Sequence, residues 1–182
     1  GLMLVMLFSA SRRMFLYEEA FGFTHLRVYV HVSIVWLAVT FAIVALSLIR
    51  IRRNIFSLGL LLVAIGFLVT MNLMNADLYI AQHNIARYEN GAQLDTCYLQ
   101  TLSVDALPAV VALYETAENP DLKDQLGGWL VYHRNLLSRA QDDPSVFGFN
   151  LAREVAWDQL DDLALTEDSI PPSYRVCSVF GR

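Results

Sequence analysis

The 182 residues contain no phosphate-binding glycine loop, no dinucleotide turn, no Ser or Cys nucleophile motif and no H-E-x-x-H. These absences remove the common routes to a nucleotide-binding or hydrolytic enzyme, and no cofactor is expected. Charge is scarce as well: 17% of residues are charged and 55% hydrophobic, a departure from an ordinary soluble domain in the apolar direction. The apolar–polar alternation of a half-buried strand is missing, which points to an all-α fold. The lone histidines His83 and His133 fall on different predicted helices. His133 lies on an apolar stripe, which suits a core histidine better than a metal ligand. Asp142-Asp143 and Asp161-Asp162 lack the dense ligand loop that calcium requires, so no metal is expected.

Two long uncharged runs are present, Val28 to Ile49 and Ile55 to Met74. Each has about the twenty residues needed to cross a hydrocarbon core, and neither shows the polar stripe of a soluble helix. They predict a transmembrane helical hairpin. Ser57, Gly59, Ala64 and Gly66 put small side chains on the second run; Gly59 and Gly66 share a face and allow close helix packing. Residues 1–10 are apolar but too short to span. They are expected to end an upstream transmembrane helix, which would make the chain the C-terminal part of a longer multi-pass protein. Residues 11–27 then form an interfacial connector, 28–54 the first span and its turn, 55–75 the second span, 76–164 an acidic α-helical domain and 165–182 a tail.

The charge divides unevenly. Residues 1–75 carry six arginines against two glutamates, net +4, whereas residues 76–182 carry seven basic against sixteen acidic residues, net −9. An acidic domain on a membrane anchor excludes nucleic acid, whose phosphates demand a basic face. The turn RIRRN holds Arg50, Arg52 and Arg53, and short basic loops stay in the cytoplasm. The second span then delivers residues 76–182 to the extracytoplasmic side. The expected location is the bacterial inner membrane, with the C-terminal domain periplasmic.

The connector reads SRRMFLYEEAFGFTHLR. At helical spacing Phe15, Leu16, Glu19, Phe23 and Leu26 share one side, and Gly22 interrupts. Tyr17, Phe21, Phe23 and Tyr29 suit an interfacial aromatic belt. Glu18 or Glu19 can pair with Arg12, Arg13 or Arg27; a role for one glutamate in binding a cation or proton is the functional alternative. His31 sits within a turn of the outer end, as an interfacial histidine would. On the topology above, Glu18, Glu19 and Arg27 are expected to meet Asp77, Asn84 or Arg87 at the start of the acidic domain.

That domain reads as short helices. Leu78, Ala81, Ile85 and Tyr88 follow helical spacing up to Asn90-Gly91. Leu94–Leu102 has room for one or two turns. Asp105 is a candidate N-cap ahead of Pro108, and Asn119-Pro120-Asp121 is a strong helix start. Leu122, Leu126, Trp129, Leu130, His133, Leu136 and Leu137 form a stripe, and Asp143-Pro144 opens a last helix. A small bundle or a short helical repeat fits this order. Trp129 and Trp157 are expected as core anchors. The two cysteines, Cys97 and Cys177, both fall in the domain placed outside the cytoplasm, where disulfides persist, and are expected to pair.

Two motifs occur together, LYEEAFGFTHLRVYV and NADLYIAQHNIAR. They resemble a family of bacterial multi-pass membrane proteins known as a domain of unknown function, the four-one-seven-three group. The corresponding positions are Tyr17, Glu18, Gly22, Thr24 and Arg27, then Asn75, Asp77, Ile80, Ala81, Asn84 and Arg87. YLQTLSVDALPAVVAL and FNLAR are similar too, so the resemblance covers roughly residues 10–155. It implies the membrane topology and further upstream spans, and no activity. The functional expectation is a membrane-anchored structural or interaction subunit that docks another membrane protein subunit. Two alternatives stand beside it: the end of a polytopic transporter or membrane enzyme, and an accessory subunit of a large energy-converting complex.

Overall fold

A computed structural model describes residues 2–50, 53–141, Leu160 and Leu163. The chain divides into two compact units, Gly1–Ala76 and Asp77–Arg182. Among the described residues there is no strand.

The first unit contains α1 (Leu2–Phe21), α2 (His25–Arg50) and α3 (Arg53–Leu73). The stretches His25–Leu48 and Phe56–Leu73 are long and apolar enough to cross a membrane, and 0% and 6% of their most apolar windows are buried inside the protein. A helix that is apolar all round and faces outward has lipid, rather than a soluble core, as its solvent. The chain is an all-α membrane protein.

Two boundaries differ from expectation. α2 begins at His25, three residues before the uncharged run. Hydropathy marks where apolar side chains start, whereas the backbone ladder extends outward through His25, Leu26 and Arg27. The second concerns the join between segments: residues 11–21 of the connector are helical, as their spacing implied, and they continue α1 without a break at residue 11. Ser9–Arg13 holds no glycine or proline, and its alanine and arginines favour helix. The break comes at Gly22, whose φ of 79° suits a residue without Cβ. Its N–H bonds the Glu18 carbonyl at 2.9 Å, closing the helix end.

The second unit contains α4 (Ala76–Glu89), α5 (Thr96–Leu99), a 3-10 turn at Val104–Ala106, α6 (Leu107–Thr116) and α7 (Pro120–Gln141). α4 ends as expected at Gly91, φ 91°, with the Ala92 N–H returning to the Arg87 carbonyl at 3.0 Å. Asn119 caps α7 through Oδ1, which accepts from the Asp121 N–H at 3.0 Å; Pro120 is the first helical residue and Asp121 lies in the first turn. The cap expected at Asp105 is formed by Ser103 instead, whose Oγ accepts from the Asp105 N–H. Asp105 thus falls inside a 3-10 turn that leads into α6, where Pro108 occupies the first turn. Ile80, Leu107, Val110, Leu130 and Leu160 are fully buried and form the core. Thr96 Oγ1 donates to Gln125 Oε1 at 2.6 Å, tying α5 to α7. The helix expected from Asp143-Pro144, Trp157, both aspartate pairs and the tail 165–182 lie outside the described residues.

Candidate functional site

The strongest candidate is a carboxylate–imidazole pair between α1 and α2. The two helices run antiparallel because only Gly22, Phe23 and Thr24 separate them. Glu18, four residues before Gly22, then comes level with His31. Glu18 is 3% exposed. His31 Nδ1–H donates to its Oε1 at 2.9 Å. A buried carboxylate requires such a partner, since desolvation is otherwise uncompensated.

The pairing of Glu18 with Arg12, Arg13 or Arg27 is therefore replaced by one with His31. Arg12 and Arg13 are exposed. Arg27 is held by the loop, donating Nη1–H to the Gly22 carbonyl with its guanidinium 5.9 Å from the centre of the Phe21 ring. Glu18, rather than Glu19, is the buried glutamate; Phe15, Leu16 and Glu19 are exposed. Sequence reasoning placed His31 at the interface without a partner. Treating the Gly22–Thr24 break as the tip of a hairpin would have brought residues 18 and 31 together.

α2 and α3 join along the face marked by the small residues. Trp36 Nε1–H donates to Thr70 Oγ1 at 3.2 Å, and that hydroxyl donates to the Gly66 carbonyl at 2.8 Å. A Cβ on Gly66 would strike the Trp36 ring, and one on Gly59 would sit 2.6 Å from Ile43 Cγ2. Arg50 ends α2 and Arg53 begins α3, while Arg52 lies outside the described residues. On the opposite flank of α2, a groove of about 550 Å³ runs beside α1, lined by Met6, Ser9, Ala10, Arg13, Met14, Tyr17, Val30 and Ile34.

In the second unit, Asp77, Asn84 and Arg87 stand on α4, with Asp77 Oδ2 accepting from the Ser103 N–H at 3.3 Å. Glu18, Glu19 and Arg27 belong to the first unit. Cys97 is exposed on α5 and is disulfide-bonded; Cys177 lies outside the described residues. Trp129 and His133 are buried on α7, as the stripe implied, whereas Leu136, expected on the same stripe, is exposed because it stands beside Leu137 on the far edge of the buried face. Their ring centres lie 4.0 Å apart with the planes tilted by 37°, and His133 Nδ1–H donates to the Trp129 carbonyl at 3.1 Å. Among the described residues, no three His, Cys, Asp or Glu side chains gather as a metal site.

Burial holds the His133 imidazole below its ordinary value of 6.5, against the weaker upward pull of its hydrogen bond to Trp129. The unfolded chain takes up this proton near 6.5, and the folded chain only at lower pH. The neutral histidine therefore stabilises the domain above 6.5, and that contribution is lost as pH falls through the folded value. Thermal melts between pH 8 and pH 5 should show a steeper acid-side decline for the wild type than for His133→Gln. Parallel curves would refute the assignment.

Residues 1–113 match the family model described as Domain of unknown function (DUF4153). The chain belongs to this family. The motifs had pointed to a membrane family of unknown function under the number four-one-seven-three; the matching family carries the number 4153. No curated protein and no solved structure matches the chain. The family match takes in Glu18, His31, the α2–α3 seam and Cys97. It stops at Leu113, before α7 and His133.

Proposed function

We propose that the chain is a membrane-anchored structural or interaction subunit of a bacterial inner membrane, whose acidic helical domain docks a partner protein on the extracytoplasmic side. The observation that carries this reading is on α7, where Tyr132 and Leu136, one turn apart, are 52% and 49% exposed beside a buried core. Neighbouring exposed apolar side chains on a charged domain suit a protein interface. The disulfide at Cys97 supports the compartment, because cytosolic thiols stay reduced, and the arginines of the α2–α3 turn support the orientation. The docking claim is tested in intact cells with a photo-crosslinking residue at 132 or 136, against 118 as control. Discrete protein adducts at 132 and 136 alone are expected, and equal labelling at all three positions would sink it.

The Glu18–His31 pair favours a second reading, the end of a polytopic transporter or membrane enzyme. Ionisable groups buried among membrane helices mark ion or proton paths more often than they mark scaffolding. Glu18→Gln separates the cases. A glutamine carbonyl accepts the same hydrogen bond from His31, so a scaffold keeps its abundance and its function. A transport role requires the ionisable group, so a deletion strain complemented with Glu18→Gln would fail although protein levels are normal.

A further inference from the structure

We propose that the groove between α1 and α2 is a binding site for an anionic phospholipid, with its phosphate at Arg13 and Tyr17 and an acyl chain along the deeper part of the groove. The inference rests on the membrane assignment and is independent of what the second unit docks.

The α1 side of the groove is a single helical stripe. Met6, Ala10, Arg13, Met14 and Tyr17 follow the spacing of three and four that keeps residues on one face. Most of that face is apolar, and at membrane depth it will be wet by lipid tails. Arg13 is the exception. It is exposed, and no ion pair or hydrogen bond holds it among the described residues.

Its depth follows from the register. Arg13 shares the groove with Ile34, six residues inside the start of the uncharged run at Val28. At 1.5 Å per residue this puts its Cα about 9 Å below that level. A charged side chain at such depth is costly, and the cost falls if it snorkels to the interface or meets an opposite charge. Tyr17 stands one turn nearer the α1–α2 loop on the same face, so the route toward the interface carries a hydroxyl donor. The groove thus carries its cation and its phenol toward the loop end, and toward Met6 it is apolar apart from the small hydroxyl of Ser9, over about 16 Å of helix.

This order, cation and hydroxyl first and apolar wall after, matches an anionic amphiphile lying along the helix. A guanidinium presents a planar fork suited to phosphate oxygens. A second copy of the chain fits less well, since two-fold packing on this stripe would bring Arg13 toward its own symmetry mate. A membrane helix bearing a carboxylate would match the charge, although it has no need of the polarity gradient.

The test is native mass spectrometry of the full chain in mild detergent, titrated with phosphatidylglycerol, diacylglycerol or glycerol phosphate. Saturable binding of one or a few phosphatidylglycerol molecules is expected, at least tenfold tighter than diacylglycerol, with glycerol phosphate not retained. Arg13→Gln should weaken phosphatidylglycerol binding about tenfold, while Arg12→Gln, the same loss of charge one residue away and outside the groove, leaves it unchanged. Ala10→Phe keeps the charge and puts a bulky ring in the lining of the groove, and it too should weaken binding. It serves as the test if Arg13→Gln does not fold. Equal loss in the Arg12 and Arg13 variants would reduce the effect to general surface charge and overturn the site. Equal affinity for diacylglycerol, or a co-purifying membrane protein lost specifically from Arg13→Gln with lipid binding intact, would overturn it as well.

Discussion

Cys97→Ser is expected to destabilise the second unit by about 4 kcal/mol, the loop-closure contribution for a bond spanning roughly eighty residues. That span assumes Cys177 as the partner, which is the chain's only other cysteine. Cys97 sits on the one-turn helix α5, which is also held by capping from Asp95, by the bond from Thr96 to Gln125 and by the buried side chain of Leu99. Four residues of helix cannot hold themselves in place, so the bond does more here than it would on a long helix such as α7. The domain of about 100 residues has a modest core, and a loss of this size is a large part of ordinary domain stability. The check is chemical denaturation in detergent of Cys97→Ser, Cys177→Ser and the double variant. All three should lose the same amount, because either single change already opens the bond. Unequal single losses, or alkylation of both thiols in non-reduced cells, would remove the pairing and weaken the extracytoplasmic assignment.

Helix content and the two spans were legible because they depend on short-range patterns. Uninterrupted apolar runs mark spans, Asn119-Pro120-Asp121 marks a helix start and Gly91 a stop, and each signal acts within a turn or two. The end of α1 at Gly22 was legible in the same way, whereas its continuity through residue 11 was not, because composition changes there while the backbone has no cause to break. The Glu18–His31 pair was hidden because it depends on the register between two helices, and hydropathy carries no register. Asp105 and Ser103 show the same limit on a smaller scale. Both residues favour a cap, and the choice was made by the 3-10 turn that leads Leu107 into the core.

Gly66→Leu is expected to break the α2–α3 seam. Even the first carbon of a new side chain would overlap the Trp36 indole, so the ring must leave its place. Moving it also removes the Trp36–Thr70 hydrogen bond. Overpacking of a tight contact costs about 1–3 kcal/mol, and loss of a side-chain hydrogen bond between membrane helices adds roughly 0.6 kcal/mol or more. No hydrophobic gain offsets this, since in lipid an added leucine is equally well solvated on any outer face. Val63, on the same helix, is 9% exposed, so loosening the seam would also uncover a packed side chain. Leu62→Ala is the control: Leu62 is 58% exposed, and lipid tails replace what the truncation removes. Unfolding in mixed micelles with rising SDS should shift to markedly lower SDS for Gly66→Leu and hardly at all for Leu62→Ala. Trp36→Ala in the Gly66→Leu background removes the clashing ring and should recover part of the loss. If Gly66→Leu unfolds with the wild type, the two helices do not depend on this contact, and the close approach at Gly66 has no part in holding the hairpin.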